Sequence, residues 1–300
     1  SDINLYDSKF VNCSDPTGIA GSVYYQIIST RDNRIIKIDN CIFDSNTDGS
    51  SCYELYLLVH KRPYISNCTF MNDNTTSGLV MIKFDAVGDL IGFLSYVTLT
   101  YSSCINCDLH NKNVLNYVDA NQDEVLLEDF TFDGCVFDGC SNFGLIHYNI
   151  FILKLTDTIF RNNVNDNHLL SIDVLRVIEI LGCSFINNTI KCTDNSSAII
   201  LVSERCVCYI NHAVFQDNIN EHNENDDENC FNNSYVMKVS SYLELTYASF
   251  IDCPTFKYSL YLAEKEGDTS SLIFHNSLVN NSGSVLIENQ INSIRIISTN

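Results

Sequence analysis

The sequence is poor in basic residues. Its 300 residues include 17 Lys and Arg against 37 Asp and Glu, which gives a formal charge of −20. Because phosphate binding needs clustered Lys and Arg, this charge argues against a nucleic-acid partner, and it also disfavours anionic membrane surfaces. The longest apolar stretch, at 90–99, has about ten residues, half of what a membrane-spanning helix needs, so the sequence predicts no transmembrane segment. No basic segment followed by an apolar one opens the sequence, so no secretory signal is visible.

Proline is scarce, with 3 residues, and tryptophan is absent, but 45% of the residues are hydrophobic. This share is enough to bury a sizeable core and excludes a fully disordered chain. No segment keeps a period of 3.6 residues over ten or more positions, so the sequence predicts no long helix.

One short pattern recurs along the whole sequence at intervals of about 30 residues. It reads apolar-x-apolar-x-x-small-x-large, and Asn or another turn-forming residue follows two or three positions later. The large position is occupied by Phe10, Phe43, Phe70, Leu109, Phe137, Phe160, Phe185, Phe215, Phe250 and Val279. The small position, two residues earlier, is occupied by Ser8, Cys41, Cys68, Cys107, Cys135, Thr158, Cys183, Ala213, Ala248 and Ser277.

This spacing predicts strands joined by corners. Alternate residues of a strand face the same side, and the step of three before the small position requires a corner, for example at Asp39-Asn40. A further apolar run in each repeat, such as 198–202, supplies a third strand. We therefore predict an all-β, single-domain parallel β-helix (a solenoid) over residues 1–300, with about ten coils of three short strands each.

Both ends of the sequence begin or stop within a repeat, with no polar capping segment. Open β edges pair readily with other chains. We expect these residues to be part of a longer chain, and we expect end-to-end or lateral self-association wherever a terminal coil stays uncapped.

The 14 cysteines have two readings. Cys104-x-x-Cys107, with His110 following, has a spacing typical of metal or redox sites. The repeat also explains it, with Cys104 at the second apolar position and Cys107 at the small one. We expect the small-position cysteines to stay reduced, because side chains that stack in parallel are badly oriented for a disulfide. Cys52, Cys192 and Cys230 lie in loops and are expected to pair in an oxidising compartment.

The acidic segment 218–233 is the most unusual part of the sequence. Its carboxylates Glu224, Asp226, Asp227 and Glu228 are weak candidates for Ca²⁺ binding. No EF-hand spacing accompanies them, and a solvated loop explains the same composition. The sequence predicts no catalytic residue and no cofactor.

The repeats resemble the F-x-x-N repeats of the polymorphic outer membrane proteins of chlamydiae and of similar large surface proteins of trichomonads. Matching copies are FDSN, FRNN, FINN and FQDN, which begin at Phe43, Phe160, Phe185 and Phe215. The resemblance implies a right-handed β-helix, and a surface or adhesive role.

Three functions remain open at this point. The first is a rigid, non-catalytic rod at the cell surface or outside the cell, adhesin-like or a spacer, which presents loops to a protein or glycan ligand. The second is a carbohydrate-active enzyme of the pectin-lyase-like fold, a lyase or hydrolase whose acids converge only in three dimensions. The third is an intracellular scaffold, which many reduced cysteines would suit.

Overall fold

The structure is a computed structural model. It describes residues 3–14, 20–26, 34–45, 53–59, 63–73, 78–84, 96–119, 127–146, 150–172, 174, 176–193, 196–202, 206–221, 228–240, 242–262, 271–280, 284–287 and 293–297. Within these residues the chain is all-β, apart from one short helix, Glu228–Asn232. The chain divides into two compact units, Ser1–Asn149 and Ile150–Asn300.

The first unit contains three sheets, and every strand pair described in them is parallel. Successive strands of one sheet are separated in sequence by one strand from each of the other two. Sheet 1A contains Ile3–Tyr6, Ile36–Asp39, Tyr64–Ser66, Tyr96–Thr100 and Leu127–Asp133. Sheet 1B contains Lys9–Val11, Ile42–Asp44, Thr69–Met71, Ser103–Ile105 and Val136–Asp138. Sheet 1C contains Ala20–Gln26, Tyr53–Val59, Val80–Phe84, Asp108–Asp119 and Ser141–Ile146.

The second unit contains four sheets, again with parallel pairing in every pair described. Sheet 2A contains Ile150–Thr156, Val177–Leu181, Val207–Asn211, Tyr242–Thr246, Ser271–His275 and Ser293–Ile297. Sheet 2B contains Ile159–Arg161, Ser184–Ile186, Val214–Gln216, Ser249–Ile251 and Leu278–Asn280. Sheet 2C contains Val164–Asp166, Thr189–Lys191 and Ile219–Glu221. Sheet 2D contains His168–Ile172, Ser197–Val202, Ser234–Val239, Tyr258–Leu262 and Ser284–Ile287.

The all-β class and the parallel sheets confirm the coarse prediction from the repeat. The apolar runs of the sequence correspond to sheets 1C and 2D. The short strands of sheet 2C were not predicted, so three repeats of the second unit have four strands rather than three. These strands have a single buried residue at their centre, as in Val164–Asp166, which is too little apolar pattern to recognise in the sequence.

Residues in the left-handed region of φ form the corners between the strands. Asn40 (φ 52°) lies between sheets 1A and 1B, and Asn187 (φ 51°) lies at the corner that follows sheet 2B. Asn and Asp tolerate this conformation better than other residues with a side chain, and Gly182 (φ 66°) occupies an equivalent corner. The abundance of Asn two residues after the large position therefore has a conformational cause.

The small position has a hydrogen-bonding cause as well as a steric one. Where it is Ser, Thr or Cys, its side chain lies just after a corner and bonds to the carbonyl oxygen two residues earlier. Ser8 Oγ is 2.8 Å from Tyr6 O, Thr158 Oγ1 is 3.0 Å from Thr156 O, and Cys68 Sγ is 3.2 Å from Ser66 O. Because a hydroxyl or a thiol can make this bond, Ser, Thr and Cys replace one another here.

The large positions form columns of stacked rings inside each unit. In the second unit, the ring centroids of Phe160, Phe185, Phe215 and Phe250 are 5.0, 4.8 and 4.9 Å apart, with the rings within 5° of parallel. All four side chains are fully buried. The sequence predicted this column from the constant spacing of the repeat.

An asparagine ladder runs beside the phenylalanine column. Asn163, Asn188 and Asn218 lie three residues after Phe160, Phe185 and Phe215, and all three are fully buried. Asn188 Nδ2 donates to Asn218 Oδ1 and to Phe160 O, both at 3.0 Å, and Asn188 Oδ1 accepts from Asn163 Nδ2 at 2.9 Å. The last residue of the three F-x-x-N motifs that begin at Phe160, Phe185 and Phe215 is thus an internal ladder residue, while Asn46 of the first motif lies outside the described residues.

For the fourth repeat of the first unit, the residues that the sequence pattern places at the small and large positions are wrong. Cys104 pairs with Phe70 and Phe137, so it occupies the large position that was given to Leu109. Ser102, rather than Cys107, occupies the small position, because its backbone bonds to Val136 in the place where Cys68 bonds to Ser103. Cys107 lies one corner further on. The sequence pattern does not reveal this register, because the large position is Phe in most other repeats and Cys104 is small.

Candidate functional site

A shallow cleft of about 450 Å³ lies on the exposed side of sheet 1A. Two tyrosines line it, Tyr6 and Tyr64, which are 46% and 50% exposed although both belong to regular strands. Exposed aromatic side chains offer a flat apolar surface with a polar tip. The remaining lining residues are Ile35, Lys37, Ile38, Asp39 and Ser66.

Strand register positions the lining side chains. Tyr6 pairs with Asp39, and Tyr64 pairs with Lys37. The strands of the two tyrosines are the first and third of sheet 1A, which places them about 10 Å apart across the sheet. The strand between them contributes Lys37 and Asp39, so one cation and one carboxylate lie between two aromatic side chains.

Asp39 accepts two short side-chain hydrogen bonds from the neighbouring strand and the corner after it. Ser66 Oγ donates at 2.6 Å and Asn67 Nδ2 donates at 2.7 Å. These two bonds lower the pKa of Asp39 below its usual value, because they stabilise the carboxylate form. Asp39 is therefore a fixed, ionised acceptor at neutral pH.

The interior of the first unit contains a cluster of three thiols. The Sγ atoms of Cys104, Cys107 and Cys140 all lie within 4.8 Å of one another, and those of Cys104 and Cys140 are 3.1 Å apart. The three residues are at most 2% exposed. Cys104 lies in Ser103–Ile105, while Cys107 and Cys140 follow the corners at Asn106 and Gly139.

Mutual hydrogen bonding and burial shift the pKa values of this cluster in opposite directions. Hydrogen bonds with Cys107 and Cys140, together with burial, raise the pKa of Cys104. The pKa of Cys107 is about 12, because its bond with Cys104, which lowers the pKa, is outweighed by its bond with Cys140 and by burial. Hydrogen bonds with Cys104 and Cys107 lower the pKa of Cys140.

The structure does not bring His110 to these thiols. Its side chain is about half exposed, and its Nδ1 atom is 3.9 Å from Asp108 Oδ1. The sequence identified Cys104 and Cys107 by their spacing but missed Cys140. Cys140 is brought to the other two by the alignment of adjacent repeats, as in the hydrogen bond from Ser141 N to Cys107 O.

The predicted Ca²⁺ candidates Glu224, Asp226 and Asp227 lie outside the described residues. Glu228 is the first residue of the helix Glu228–Asn232. The candidate acids therefore stay a prediction from composition.

Most of the described cysteines are buried thiols, and two others form a disulfide. Cys192 and Cys230 form a disulfide, so the predicted pairing holds for these two, but Cys230 lies in the helix Glu228–Asn232 rather than in a loop. Cys52 lies outside the described residues. The small-position thiols Cys41, Cys68, Cys135 and Cys183 are buried and reduced, as the parallel orientation predicted. Burial is the main cause that raises the pKa of Cys68 to about 12 and that of Cys135 to about 11.

Comparisons of this chain with protein-family models, with curated proteins and with solved structures gave no match. Among the described residues, no helix has the length and apolar character needed to cross a membrane. The cleft and the thiol cluster must therefore be interpreted from their chemistry.

Proposed function

We propose that each of the two units is a right-handed parallel β-helix, and that the chain is a non-catalytic binding module related to the F-x-x-N surface proteins. Support for the β-helix comes from the parallel pairing of every described strand pair and from the left-handed corners. The handedness rests on the resemblance and on the strong preference of parallel crossovers for the right-handed form.

The ligand we propose is a neutral oligosaccharide bound in the cleft of sheet 1A. The observation that carries this proposal is the pair of half-exposed rings, Tyr6 and Tyr64, on either side of Lys37 and Asp39. Sugar rings present C–H faces that pack on aromatic rings and hydroxyls that bond to charged and polar groups. The opposite charges of Lys37 and Asp39 leave the cleft without a strong preference for an ionic ligand.

The cleft is better suited to binding than to glycoside hydrolysis. A general acid for this reaction needs a carboxyl group whose pKa is raised by its surroundings. The pKa of Asp39 is lowered instead, by its bonds to Ser66 and Asn67. This carboxylate can accept a hydrogen bond from a sugar hydroxyl, but it is a poor proton donor.

A location at the cell surface or outside the cell agrees with this function. Disulfides persist in oxidising compartments, and the Cys192–Cys230 disulfide favours such a location over the intracellular scaffold. The remaining reduced cysteines do not conflict with it, because burial protects thiols such as Cys68 and Cys135 from oxidants.

The binding test uses an array of neutral oligosaccharides followed by calorimetric titration of the best ligand. Tyr6→Ala and Tyr64→Ala should each weaken binding by roughly tenfold or more, since each removes one stacking surface. Tyr24→Ala is the matched control, because Tyr24 is 51% exposed but lies on sheet 1C. Binding that survives both cleft substitutions, or that Tyr24→Ala weakens equally, contradicts the proposed site.

A further inference from the structure

Within the thiol cluster, Cys104 differs from the other interior cysteines of the first unit, whereas Cys107 Sγ is 3.4 Å from Ile105 O, the carbonyl two residues earlier. Cys41, Cys68 and Cys135 each fill the small position of one repeat. Ser8 and Ser102 fill it in two other repeats and bond to the carbonyl oxygen two residues earlier. Their presence is explained by packing and by the carbonyl that each one bonds.

Cys104 has no such explanation, because it occupies the large position between Phe70 and Phe137. A thiol is far smaller than a phenyl ring, and close packing of interiors disfavours an unfilled space. The sulfurs of Cys107 and Cys140 both lie within 4.8 Å of Cys104 Sγ. Cys140 Sγ is 3.8 Å from Asp138 O and 3.2 Å from Cys104 O, much as Cys135 Sγ is 3.7 Å from Asp133 O and 3.2 Å from Leu99 O. What sets Cys140 apart is its sulfur contact, since its Sγ is 3.1 Å from Cys104 Sγ.

We propose that Cys104, Cys107 and Cys140 form a three-coordinate site for a soft monovalent metal ion, Cu(I). The centre of an equilateral triangle lies at its side divided by √3 from each corner. Sulfur separations between 3.1 and 4.8 Å thus place the centre about 1.8 to 2.8 Å from each sulfur, a range that includes the metal–thiolate distance of about 2.3 Å. The three sulfurs converge without any change of backbone register.

The donor set selects the metal. Thiolates favour soft ions such as Cu(I), whereas structural Zn²⁺ sites have four ligands in a tetrahedron. Among the described residues, the potential ligands that meet here are the three cysteines. Their near-complete burial separates the site from bulk solvent.

The charge balance requires proton release. When Cu⁺ binds, two of the three thiols lose their protons to solvent, and the third sulfur coordinates as a thiol. One cation and two thiolates leave a single negative charge, which a buried site tolerates better than two. Affinity should therefore increase with pH.

The test is an anaerobic titration of the full chain, refolded with a reductant, with Cu(I) as its acetonitrile complex and a coloured Cu(I) chelator as competitor. The chain should retain one Cu(I) with ultraviolet thiolate-to-copper absorption, and X-ray absorption should show three sulfur neighbours. Cys104→Ser should weaken retention by roughly 100-fold or more, because one of three metal bonds is lost. Circular dichroism reports whether each variant is folded.

Cys135→Ser and Cys183→Ser are the matched controls. Each removes one buried thiol from a position that Ser occupies in other repeats, and neither should change Cu(I) retention. Retention that is equal in Cys104→Ser and in the controls overturns the proposal. A Cys104–Cys140 disulfide in peptide maps of the chain isolated without reductant also overturns it, since the pair would then be a structural cross-link.

Discussion

Asn188 offers the sharpest test of the internal ladder. Its side chain makes four hydrogen bonds: to Asn218 Oδ1 and Phe160 O at 3.0 Å, and from the backbone N and Nδ2 of Asn163 at 3.2 and 2.9 Å. Each bond contributes about 1 kcal/mol net. Asn188→Ala should therefore lower the free energy of unfolding by about 4 kcal/mol, and more if the buried partners stay unsatisfied.

The neighbouring residue is the control. Asn187 is exposed and has a φ of 51° at a corner where Gly is also found. Asn187→Gly should change stability by less than about 1 kcal/mol, because Gly adopts this conformation without strain and the side-chain bond that is lost, from Asn187 Nδ2 to Asn162 Oδ1 at 2.8 Å, is exposed to solvent. Urea denaturation followed by circular dichroism measures both variants, with equal m-values as the check that the transitions are comparable. A loss below about 1 kcal/mol for Asn188→Ala, or equal losses for both variants, would refute the ladder.

Three further outcomes follow from packing and titration. Phe185→Ala should cost about 3–5 kcal/mol because it interrupts the stacked column, while Ile186→Ala, at a half-buried position, should cost much less; similar urea midpoints would contradict this. The lowered pKa of Asp39 means that its stabilisation is complete above the unfolded pKa, about 3.9, and is lost as pH falls through the lower folded value. Asp39→Asn should therefore remove part of the decrease in thermal stability between about pH 4 and pH 2. At pH 8, iodoacetamide should modify Cys13 in the folded chain but Cys68 only after unfolding, as mass spectrometry of the labelled peptides would show.

The core of the fold could be predicted because its side chains obey a steric rule that the sequence displays directly. The column through Phe160, Phe185 and Phe215 recurs with a constant spacing to its small neighbour, and a strand has only one way to place both inside. The corners were predictable for the same reason, because Asn and Asp mark left-handed positions. Sheet 2C was missed because one buried residue per strand carries almost no pattern.

The cleft and the thiol cluster could not be predicted because both depend on pairing between repeats. Tyr6 and Tyr64 lie on strands that are separated by a third one, and nothing in the sequence fixes their relative register. Cys140 likewise reaches Cys104 only through the alignment of adjacent strands. The sequence marks which side chains are inside, but hydrogen bonding between strands decides which of them meet.

The register of the fourth repeat in the first unit can be tested at Ser102. Ser102 is 2% exposed, its Oγ atom is 3.1 Å from Thr100 O, and it accepts a bond from Cys68 N at 3.2 Å. Ser102→Val removes both bonds and should cost about 2 kcal/mol or more. Under the register that the sequence first suggested, with Cys104 at the second apolar position, residue 102 would be the first apolar position, and valine there should stabilise the chain.

Ser103 is the control for this experiment. It is the next residue, the first of the strand Ser103–Ile105, and its side chain is only partly buried. Ser103→Val should be neutral or slightly stabilising, because valine suits a strand. The change in urea midpoint caused by Ser102→Val therefore has opposite signs under the two registers. A stabilised Ser102→Val variant would mean that Cys104 does not occupy the phenylalanine position. The reason for treating its three-thiol cluster as a metal site would then be lost as well.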